Sequence, residues 1–393
     1  MREVFLAASV RTPIGKFGGT LKDWTAADLG VPPVKECLKR AGIEAAMIDE
    51  VIIGNARQAG GGPNVARQIS YRAGVPESVP AYTVNKACGS GLKSIVLAAQ
   101  EILLGRAEAV VAGGTESMSR VPYLMEGARW GLRMGNAPVV DGMYRDGFLD
   151  PLSGQVMGET AETLARQYEI SREEQDEFAL RSQRRAEAAT GEGRFRAEVT
   201  GLDVTDRRGN KVEFATDEHA RAGSTIEGMR KLPAVFSSGG TVTAGNSSGI
   251  TDGAAAMLIV SSEFAGAHAI RPQARLVDYE IAGVDPRVMG IGPVPTIRKL
   301  LARRKLGLSD IDLVELNEAF AAQVIACDRE LGFDPDRLNV NGGAIALGHP
   351  IGCTGSRIMT TLLHEMERRK ARYGLATLCI SGGMGMAVLV ERV

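Results

Sequence analysis

The sequence predicts an α/β fold built from two similar halves. Short apolar runs such as residues 51–54 and 107–112 read as strands, and amphipathic stretches between them read as helices. Continuous apolar strands alternating with helices indicate a parallel or mixed sheet that is covered on both faces. A set of local features also recurs in the same order in the second half, which indicates an internal duplication.

Four pairs of segments carry this repeat. They are residues 48–51 with 311–314, residues 84–85 with 340–341 before a Gly-rich turn, the helix from Leu92 with one from about Arg357, and the strand 109–114 with 378–383. We therefore expect the two halves to face each other, with their Gly-rich turns meeting between them.

In the first half, residues 4–10 read as a strand and residues 26–41 as a helix that begins near Asp28. Pro32 and Pro33 are expected in the first turns of that helix, where proline is tolerated. The strand 107–112 is expected to end at the glycines 113–114.

The middle of the chain does not fit the repeat. A Met- and Gly-rich segment, 123–147, precedes a polar helix at about 158–189 and a charged, turn-rich stretch, 190–221. Residues 241–245 and 254–260 then return the chain to the sheet. The predicted domains are an N-terminal half (1–118 plus about 246–266), an inserted domain (119–245) and a C-terminal half (267–393).

The composition is that of an ordinary soluble protein. The 393 residues carry a formal net charge of −1, which argues against nucleic-acid or anionic-membrane partners. No apolar run approaches the roughly 18–20 residues of a membrane span, and the first residues contain no apolar signal segment. The five cysteines have no CxxC spacing, so no metal site is expected, and an odd count suggests free thiols in a reducing compartment, the cytoplasm by default.

Cys88 lies in a predicted strand-to-helix turn. Residues 80–84 read as extended, the helical spacing starts at Leu92, and Gly89 and Gly91 keep the approach free of side chains. A helix N-terminus favours an anion, and the thiolate is the reactive form of cysteine. Cys88 is therefore either a nucleophile or a small buried apolar residue.

Three further residues could carry chemistry. His349 stands out among four histidines because it lies in a Gly-rich apolar loop, 341–355, that the repeat aligns with the Cys88 turn, so it could act as a base. Asn317 follows a strand, where it could cap a helix or support an oxyanion. Cys379 lies in a buried strand and by itself reads as core.

Competing motifs are weak. Residues 245–249 fit the GxSxG pattern of hydrolases with Ser247 as nucleophile, but the run that follows reads as a strand where that motif needs a helix. No phosphate-binding GxxxxGK[ST] loop and no HExxH is present, and the glycines at 382–385 lead into a strand, which does not support a dinucleotide fold.

Taken together, the motifs resemble those of the thiolase family along nearly the whole chain. The resemblance implies a five-layer α-β-α-β-α architecture made from two duplicated halves. The segments that carry it, in the family's order, are 85–91, 113–119, 242–249, 317–320, 341–355 and 379–385.

The resemblance implies reversible acyl transfer between coenzyme A thioesters, either condensation to a 3-ketoacyl-CoA or its thiolytic cleavage. Cys88 matches the family's acylated nucleophile and His349 the group that accepts its proton. Cys379 matches the acid/base at the α-carbon. Asn317 matches the holder of an oxyanion water, and backbone N–H groups of Cys88 and Ser381 match the second oxyanion site. Coenzyme A thioesters enter as substrates, and no cofactor is implied.

The resemblance also assigns the insertion to coenzyme A binding and to oligomerisation. Segment 123–147 matches a region that pairs dimers, so a homotetramer is implied. Val156, Gly228 and Ser381 depart from residues common in the family, and Val156 weakens any assignment to acetoacetyl-CoA alone. The matching coenzyme A and acyl positions are Arg221, Phe236, Ala244, Ser248, Met157, Ala319 and Phe320.

Two other functions remain open at the sequence level. The first is a condensing enzyme of the ketoacyl-synthase or HMG type, which would lack the cysteine found here at Cys379. The second is a non-catalytic, acyl-CoA-binding relative, which could lose Cys88, His349 or Cys379 without penalty. All three residues are present, which favours a thiolase.

Overall fold

A computed structural model describes residues 2–206 and 208–393. The strands are β1 (Val4–Arg11), β2 (Gly15–Lys16), β3 (Glu50–Gly54), β4 (Ala81–Val84), β5 (Ala109–Ser117), β6 (Tyr123–Leu124), β7 (Val140–Asp141), β8 (Leu202–Thr205), β9 (Lys211–Phe214), β10 (Thr251–Ser261), β11 (Pro272–Gly283), β12 (Leu313–Leu316), β13 (Tyr373–Ile380) and β14 (Met384–Arg392). The α-helices are α1 (Ala26–Ala41), α2 (Val65–Ala73), α3 (Ser90–Leu103), α4 (Met157–Gln167), α5 (Arg172–Gly191), α6 (Ile226–Arg230), α7 (Ser262–Ala267), α8 (Pro293–Arg304), α9 (Ala321–Leu331), α10 (Ala344–Leu347) and α11 (Ile351–Arg369).

The main strands form a continuous mixed sheet in the order β12-β13-β14-β11-β1-β10-β5-β3-β4. The outer strands of each half pair in parallel, β3 with both β4 and β5, and β12 with β13. The inner strands β1, β10, β11 and β14 pair antiparallel. The two halves therefore join through β1 and β11, and β4 and β12 lie at opposite ends of the strand order.

Helices cover both halves and fill the space between them. One apolar core packs α3 and α11 against strands of both halves. A second core packs α1 and α2 on the outside of the N-terminal strands, and a third packs α8 and α9 on the outside of the C-terminal strands. The strands of each half therefore form one sheet layer, with the α3–α11 pair between the two layers and further helices outside each. This gives helix, sheet, helix pair, sheet and helix in succession, so the predicted five-layer α/β fold is confirmed.

The central helices α3 and α11 touch backbone to backbone. A Cβ on Gly91 would lie 2.8 Å from the backbone N of Ser356, and one on Gly355 would lie 2.2 Å from the backbone N of Leu92. Only residues without a Cβ permit this crossing. It brings the N-terminal ends of the two helices, and the loops that precede them, to the same place.

The repeat is visible in the strand pairing. Where β3 pairs in parallel with β4, the corresponding strand β12 makes only a single parallel bridge, from Val314 to Leu338. The second half has thus kept the position of that neighbouring strand but not its length.

The predicted domain boundaries, 1–118 plus about 246–266, 119–245 and 267–393, stay a prediction.

Helix α1 corrects the expectation about its prolines. Thr25 is its N-cap and forms a capping box with Asp28, so the helix starts at Ala26 and Pro32 and Pro33 lie in its middle. Strand β5 continues to Ser117, through the glycines that were expected to end it.

Three further expectations were wrong in detail. The polar helix of the insertion is two helices, because Ser171 caps the start of α5. Helix α11 begins at Ile351, six residues before Arg357. Residues 241–245 form a loop, and only β10 returns the chain to the sheet.

The insertion contains two small hairpins, β6–β7 and β8–β9. Between β6 and β7 it exposes large apolar side chains, of which Trp130 is 88% and Met134 97% exposed. Among the described residues, no helix is both long and apolar enough to cross a bilayer.

Candidate active site

Cys88 lies on a tight turn between β4 and α3. The preceding residue, Ala87, has φ of +46°, which is unusual for a residue with a side chain. The Ser90 hydroxyl holds this conformation, since it accepts from the backbone N–H of Lys86 at 2.8 Å and donates to the Ala87 carbonyl at 2.6 Å. The turn therefore fixes the position of the Cys88 side chain.

The surroundings of Cys88 keep it a thiol at rest. Burial raises the pKa of Cys88, while the charge of Arg57 and the backbone N–H groups of Ser381 and Cys88 itself lower it in part. The sequence indicated that a helix N-terminus favours an anion here, and loss of solvation outweighs that local effect on the pKa. The two N–H groups can stabilise negative charge at this point once it forms.

His349 is held as a neutral base. Its Nδ1 lies 2.6 Å from the Thr354 hydroxyl, and that hydroxyl donates its proton to the Pro350 carbonyl at 3.0 Å. Nδ1 must then carry the proton that Thr354 accepts, which leaves the lone pair on Nε2. Burial, followed by the charges of Arg357 and Arg57, lowers the pKa of His349 to about 3. Nε2 is buried and has no hydrogen-bond partner within the described chain.

Asn317 is not a helix cap. Helix α9 starts only at Ala321, with Phe320 as its N-cap, and the Asn317 backbone N–H bonds to the Thr377 carbonyl at 3.0 Å. Both side-chain amide atoms are buried, and neither bonds to any residue that the structure describes. A buried amide without partners costs stability, and such groups mark positions with a role in function.

Cys379 lies near the end of β13 and is 1% exposed. Burial, followed by the negative charge that Cys88 carries when it is ionised, raises the pKa of Cys379 well above the usual value. The two cysteines therefore lie close enough to interact electrostatically. From its strand alone Cys379 was expected in the core, which agrees with its burial, and the resemblance implied the nearby Cys88.

Apolar residues surround Cys379. Met157, Ala319 and Phe320 pack with it in one small cluster. The ring of Phe236 completes this cluster, 6.1 Å from the Phe320 ring in an edge-to-face arrangement. The structure thus brings the predicted acyl-binding residues together beside the second cysteine. Ser248 lies at the edge, and its backbone N–H bonds to the Ala319 carbonyl at 3.0 Å.

A separate cavity of about 210 Å³ lies between α5 and α6. Of the positions that the resemblance assigned to coenzyme A, Arg221 and Ala244 line this cavity, whereas Phe236 and Ser248 do not. Gln183 and His219 line it without having been predicted.

Gln183 fixes the Arg221 backbone, since its Oε1 accepts from that N–H at 3.0 Å. Nothing in the local sequence of a polar helix marks Gln183. His219 looked like an ordinary loop residue, yet burial, followed by the charge of Arg221, lowers its pKa to about 4.

The hydrolase alternative fails on geometry. The Ser247 hydroxyl donates to the Thr243 carbonyl at 2.7 Å, and its backbone forms a bridge with Phe320 in place of a strand-to-helix elbow. No group of three or more His, Cys, Asp or Glu side chains able to hold a metal occurs in residues 2–206 and 208–393.

Comparisons with known proteins show the family of the chain. The family model for the thiolase N-terminal domain matches residues 4–263, and that for the thiolase C-terminal domain matches residues 270–392. The acetyl-CoA acetyltransferase of Pseudomonas aeruginosa is 52% identical over 392 residues, covering 100% of both chains.

Solved structures of related proteins share the fold. The acetyl-CoA acetyltransferase of Bacillus anthracis matches with a TM-score of 0.97 at 46% identity, covering 100% of this chain and 99% of the other. Human mitochondrial 3-ketoacyl-CoA thiolase in complex with CoA matches with a TM-score of 0.96 at 44% identity, covering 100% of this chain and 98% of the other.

Proposed function

The chain belongs to the thiolase family and is an acyltransferase of that family, and from this premise we propose that Cys88 carries the acyl group between coenzyme A thioesters. The observation that supports this role best is the arrangement around Cys88. Two backbone N–H groups and the second thiol at Cys379 lie near Cys88, which is fixed on a strained turn. The charge of Arg57 acts on both Cys88 and His349, and the Nε2 atom of neutral His349 has no hydrogen-bond partner among the described residues.

In the first half-reaction, His349 Nε2 accepts the Cys88 proton as the sulfur attacks the thioester carbonyl. The carbonyl oxygen becomes an oxyanion and is stabilised by the N–H groups of Cys88 and Ser381. When the carbonyl re-forms, the departing coenzyme A sulfur takes the proton of Cys379. The products are acylated Cys88, protonated His349, ionised Cys379 and free coenzyme A.

In the second half-reaction, the Cys379 thiolate removes the α-proton of acetyl-CoA. Because its pKa lies well above the usual value, this thiolate is a strong base once formed. The enolate oxygen accepts from protonated His349 and from a water on Asn317. The enolate carbon attacks acyl-Cys88, and the released Cys88 sulfur recovers its proton from His349, giving a 3-ketoacyl-CoA.

The cavity between α5 and α6 is proposed to take the nucleotide end of coenzyme A, with Arg221 at its rim and Ala244 on its wall. The pantetheine arm would then run past Ser248 and Phe236 towards Met157, Ala319 and Phe320. The relative solved with CoA supports coenzyme A as the ligand. Coenzyme A thioesters are the proposed substrates, with no further cofactor.

We also propose a homotetramer and a cytoplasmic location. The exposed Trp130 and Met134 on segment 123–147 suit a contact between dimers, and the edge strand β4 suits a contact within one. Double substitution of Trp130 and Met134 by serine should convert tetramers to dimers in light scattering. Free cysteines suit a reducing compartment.

The assignment is tested by the loss of acetoacetyl-CoA absorbance when coenzyme A is added, repeated with longer 3-ketoacyl-CoAs. Cys88→Ala should abolish the signal, and the wild type incubated with acetyl-CoA should gain the mass of one acetyl group on Cys88. Cys37→Ala, a buried cysteine in another core, is the matched control and should retain activity. A wild type inactive on every chain length would refute the proposal.

A further inference from the structure

A second and larger cleft lies on the other side of α6 from the proposed coenzyme A cavity. Its volume is about 940 Å³, and it is bounded by α5, α6, the segment around Asp336 and the end of α11. The residues of α6 divide between the two, since Ile226 and Arg230 line this cleft while Gly228 and Met229 line the coenzyme A cavity.

Arginines dominate the walls of this cleft. Six of them line it, against two acidic residues, Glu177 and Asp336. The arginines are Arg181, Arg184, Arg185, Arg194, Arg230 and Arg369. We refer to this feature as the arginine cleft.

Three of the arginines already have carboxylate partners. Arg194 pairs with Glu192 at 2.7 Å and Arg369 with Glu365 at 2.5 Å, while Arg230 pairs with Glu173. Their charges are therefore partly neutralised before any ligand arrives.

The other three lie on one face of α5 and lack such partners. Arg185 and Arg184 follow Arg181 by four and three residues, so their side chains are neighbours of like charge on the helix surface. None of the three forms an ion pair with a carboxylate in residues 2–206 and 208–393. An isolated helix gains nothing from such a row of charges, and a bound anion would relieve their repulsion.

The side chains of Arg181, Arg184 and Arg185 differ in how firmly the protein holds them. Arg185 is fixed, because its guanidinium donates to the carbonyls of Leu338 at 2.7 Å and Pro335 at 2.8 Å. Burial, then the charge of Arg181, lowers the pKa of Arg185. Arg181 lies over the Phe178 ring at 4.9 Å, and both Arg181 and Arg184 are exposed towards the cleft.

The floor of the cleft is apolar. Leu180 is 5% exposed and Val340 7%, and Ile226 contributes a half-buried side chain between them. An apolar floor beneath guanidinium walls suits a flat ring with a chain of phosphates, because guanidinium groups bind phosphate oxygens bidentately.

We propose that the arginine cleft binds an organic or inorganic polyphosphate at a site separate from the coenzyme A cavity. The shared chemistry is a row of phosphate groups on Arg181, Arg184 and Arg185. A nucleoside triphosphate would also use the apolar floor, whereas inorganic tripolyphosphate would use the arginines alone.

Calorimetric titration of the full-length protein with ATP and with tripolyphosphate at low ionic strength tests this. Binding should weaken as salt is added. The double variant Arg181→Gln/Arg184→Gln should weaken both ligands at least tenfold. The matched control Arg271→Gln/Arg287→Gln removes the same two charges from exposed positions outside the cleft and should bind as the wild type does. Tighter binding of ATP than of tripolyphosphate identifies a nucleotide as the ligand, and equal binding identifies the phosphate chain alone.

Three results would overturn the proposal. They are no heat of binding at millimolar ligand, equal weakening in the control variant, and displacement of tripolyphosphate by coenzyme A in simple competition. The last result would make the cleft part of the coenzyme A site. Thiolysis by the double variant is measured in parallel, and since neither arginine lies in the proposed active site, its rate should stay unchanged.

Discussion

The carboxylate of Glu116 accepts a hydrogen bond from the backbone N–H of Gly352 at 2.7 Å, which joins the end of β5 to the first turn of α11. Its oxygens also accept from the backbone N–H groups of Ala56 at 3.1 Å and Arg57 at 3.0 Å, and from the Asn55 amide at 2.7 Å. One buried side chain thus ties the loop after β3 to the loop that carries His349, three residues before Gly352.

Glu116→Gln should therefore lower both stability and activity. The new NH2 group cannot accept, so at least one buried backbone N–H loses its partner, at a cost of about 1–3 kcal/mol. Thermal unfolding should shift to lower temperature and kcat should fall, because the His349 loop loses an anchor. Glu77→Gln, at an exposed position, is the control. An unchanged melting temperature would contradict this role of Glu116.

Alkylation of Cys88 should report its raised pKa. Burial raises the pKa of Cys88 above that of an ordinary thiol, which is about 8.5. The rate of its reaction with iodoacetamide should therefore still increase with pH beyond that value. Arg57→Leu removes the nearby positive charge and should move the profile to still higher pH. Peptide mapping separates Cys88 from Cys379. A plateau reached below neutral pH would show a resting thiolate.

Asn317→Leu should separate stability from activity. Removing a buried amide without partners should leave the free energy of unfolding unchanged or raise it, while kcat falls by about 10²–10³ if the amide supports an oxyanion. Asn339→Leu is the matched comparison, since the Asn339 amide donates to the Leu316 carbonyl at 2.8 Å and to Glu318 at 2.9 Å. That variant should be clearly destabilised. Equal loss of stability in both would contradict the functional reading of Asn317.

Cys379→Ser should divide the two half-reactions. Acyl transfer from acetyl-CoA to Cys88 should remain measurable by mass, whereas exchange of the α-protons of acetyl-CoA with deuterated solvent should stop, because a serine hydroxyl is far less acidic. Cys327→Ser, another buried cysteine, serves as the comparison. Full exchange in the Cys379 variant would remove this residue from its proposed role.

The sequence predicted the duplicated fold because period and order survive in each half, as the pairs of strands and Gly-rich turns show. It did not predict the break before α5, because a single capping serine, Ser171, decides it against a continuous helical pattern. The repeat predicts that Cys88 and His349 approach each other, and this stays a prediction. The raised pKa of Cys88 could not be predicted from the sequence, since burial by distant segments outweighs the local helix terminus. Gln183 and the arginine cleft depend on how α5 packs against α6.

The stability of the protein should depend on pH through a buried pair near the His349 loop. Glu315 is 3% exposed and its carboxylate lies 3.7 Å from the Arg357 guanidinium, too far for a hydrogen bond. Burial raises the pKa of Glu315 to about 8 from 4.5, and Arg357 opposes this only in part. Between pH 4.5 and about 8, Glu315 is therefore protonated in the folded protein and ionised in the unfolded chain.

Unfolding between these two pKa values releases a proton, so the contribution of Glu315 to stability is complete below pH 4.5 and declines as pH rises to about 8. The slope for one proton is about 1.4 kcal/mol per pH unit. Denaturant unfolding at several pH values should show this slope reduced in Glu315→Gln relative to the wild type. Glu213→Gln, an exposed carboxylate, should leave it unchanged. An identical pH dependence in the Glu315 variant and the wild type would mean that Glu315 is ionised in the folded protein, stabilised by Arg357 despite its burial.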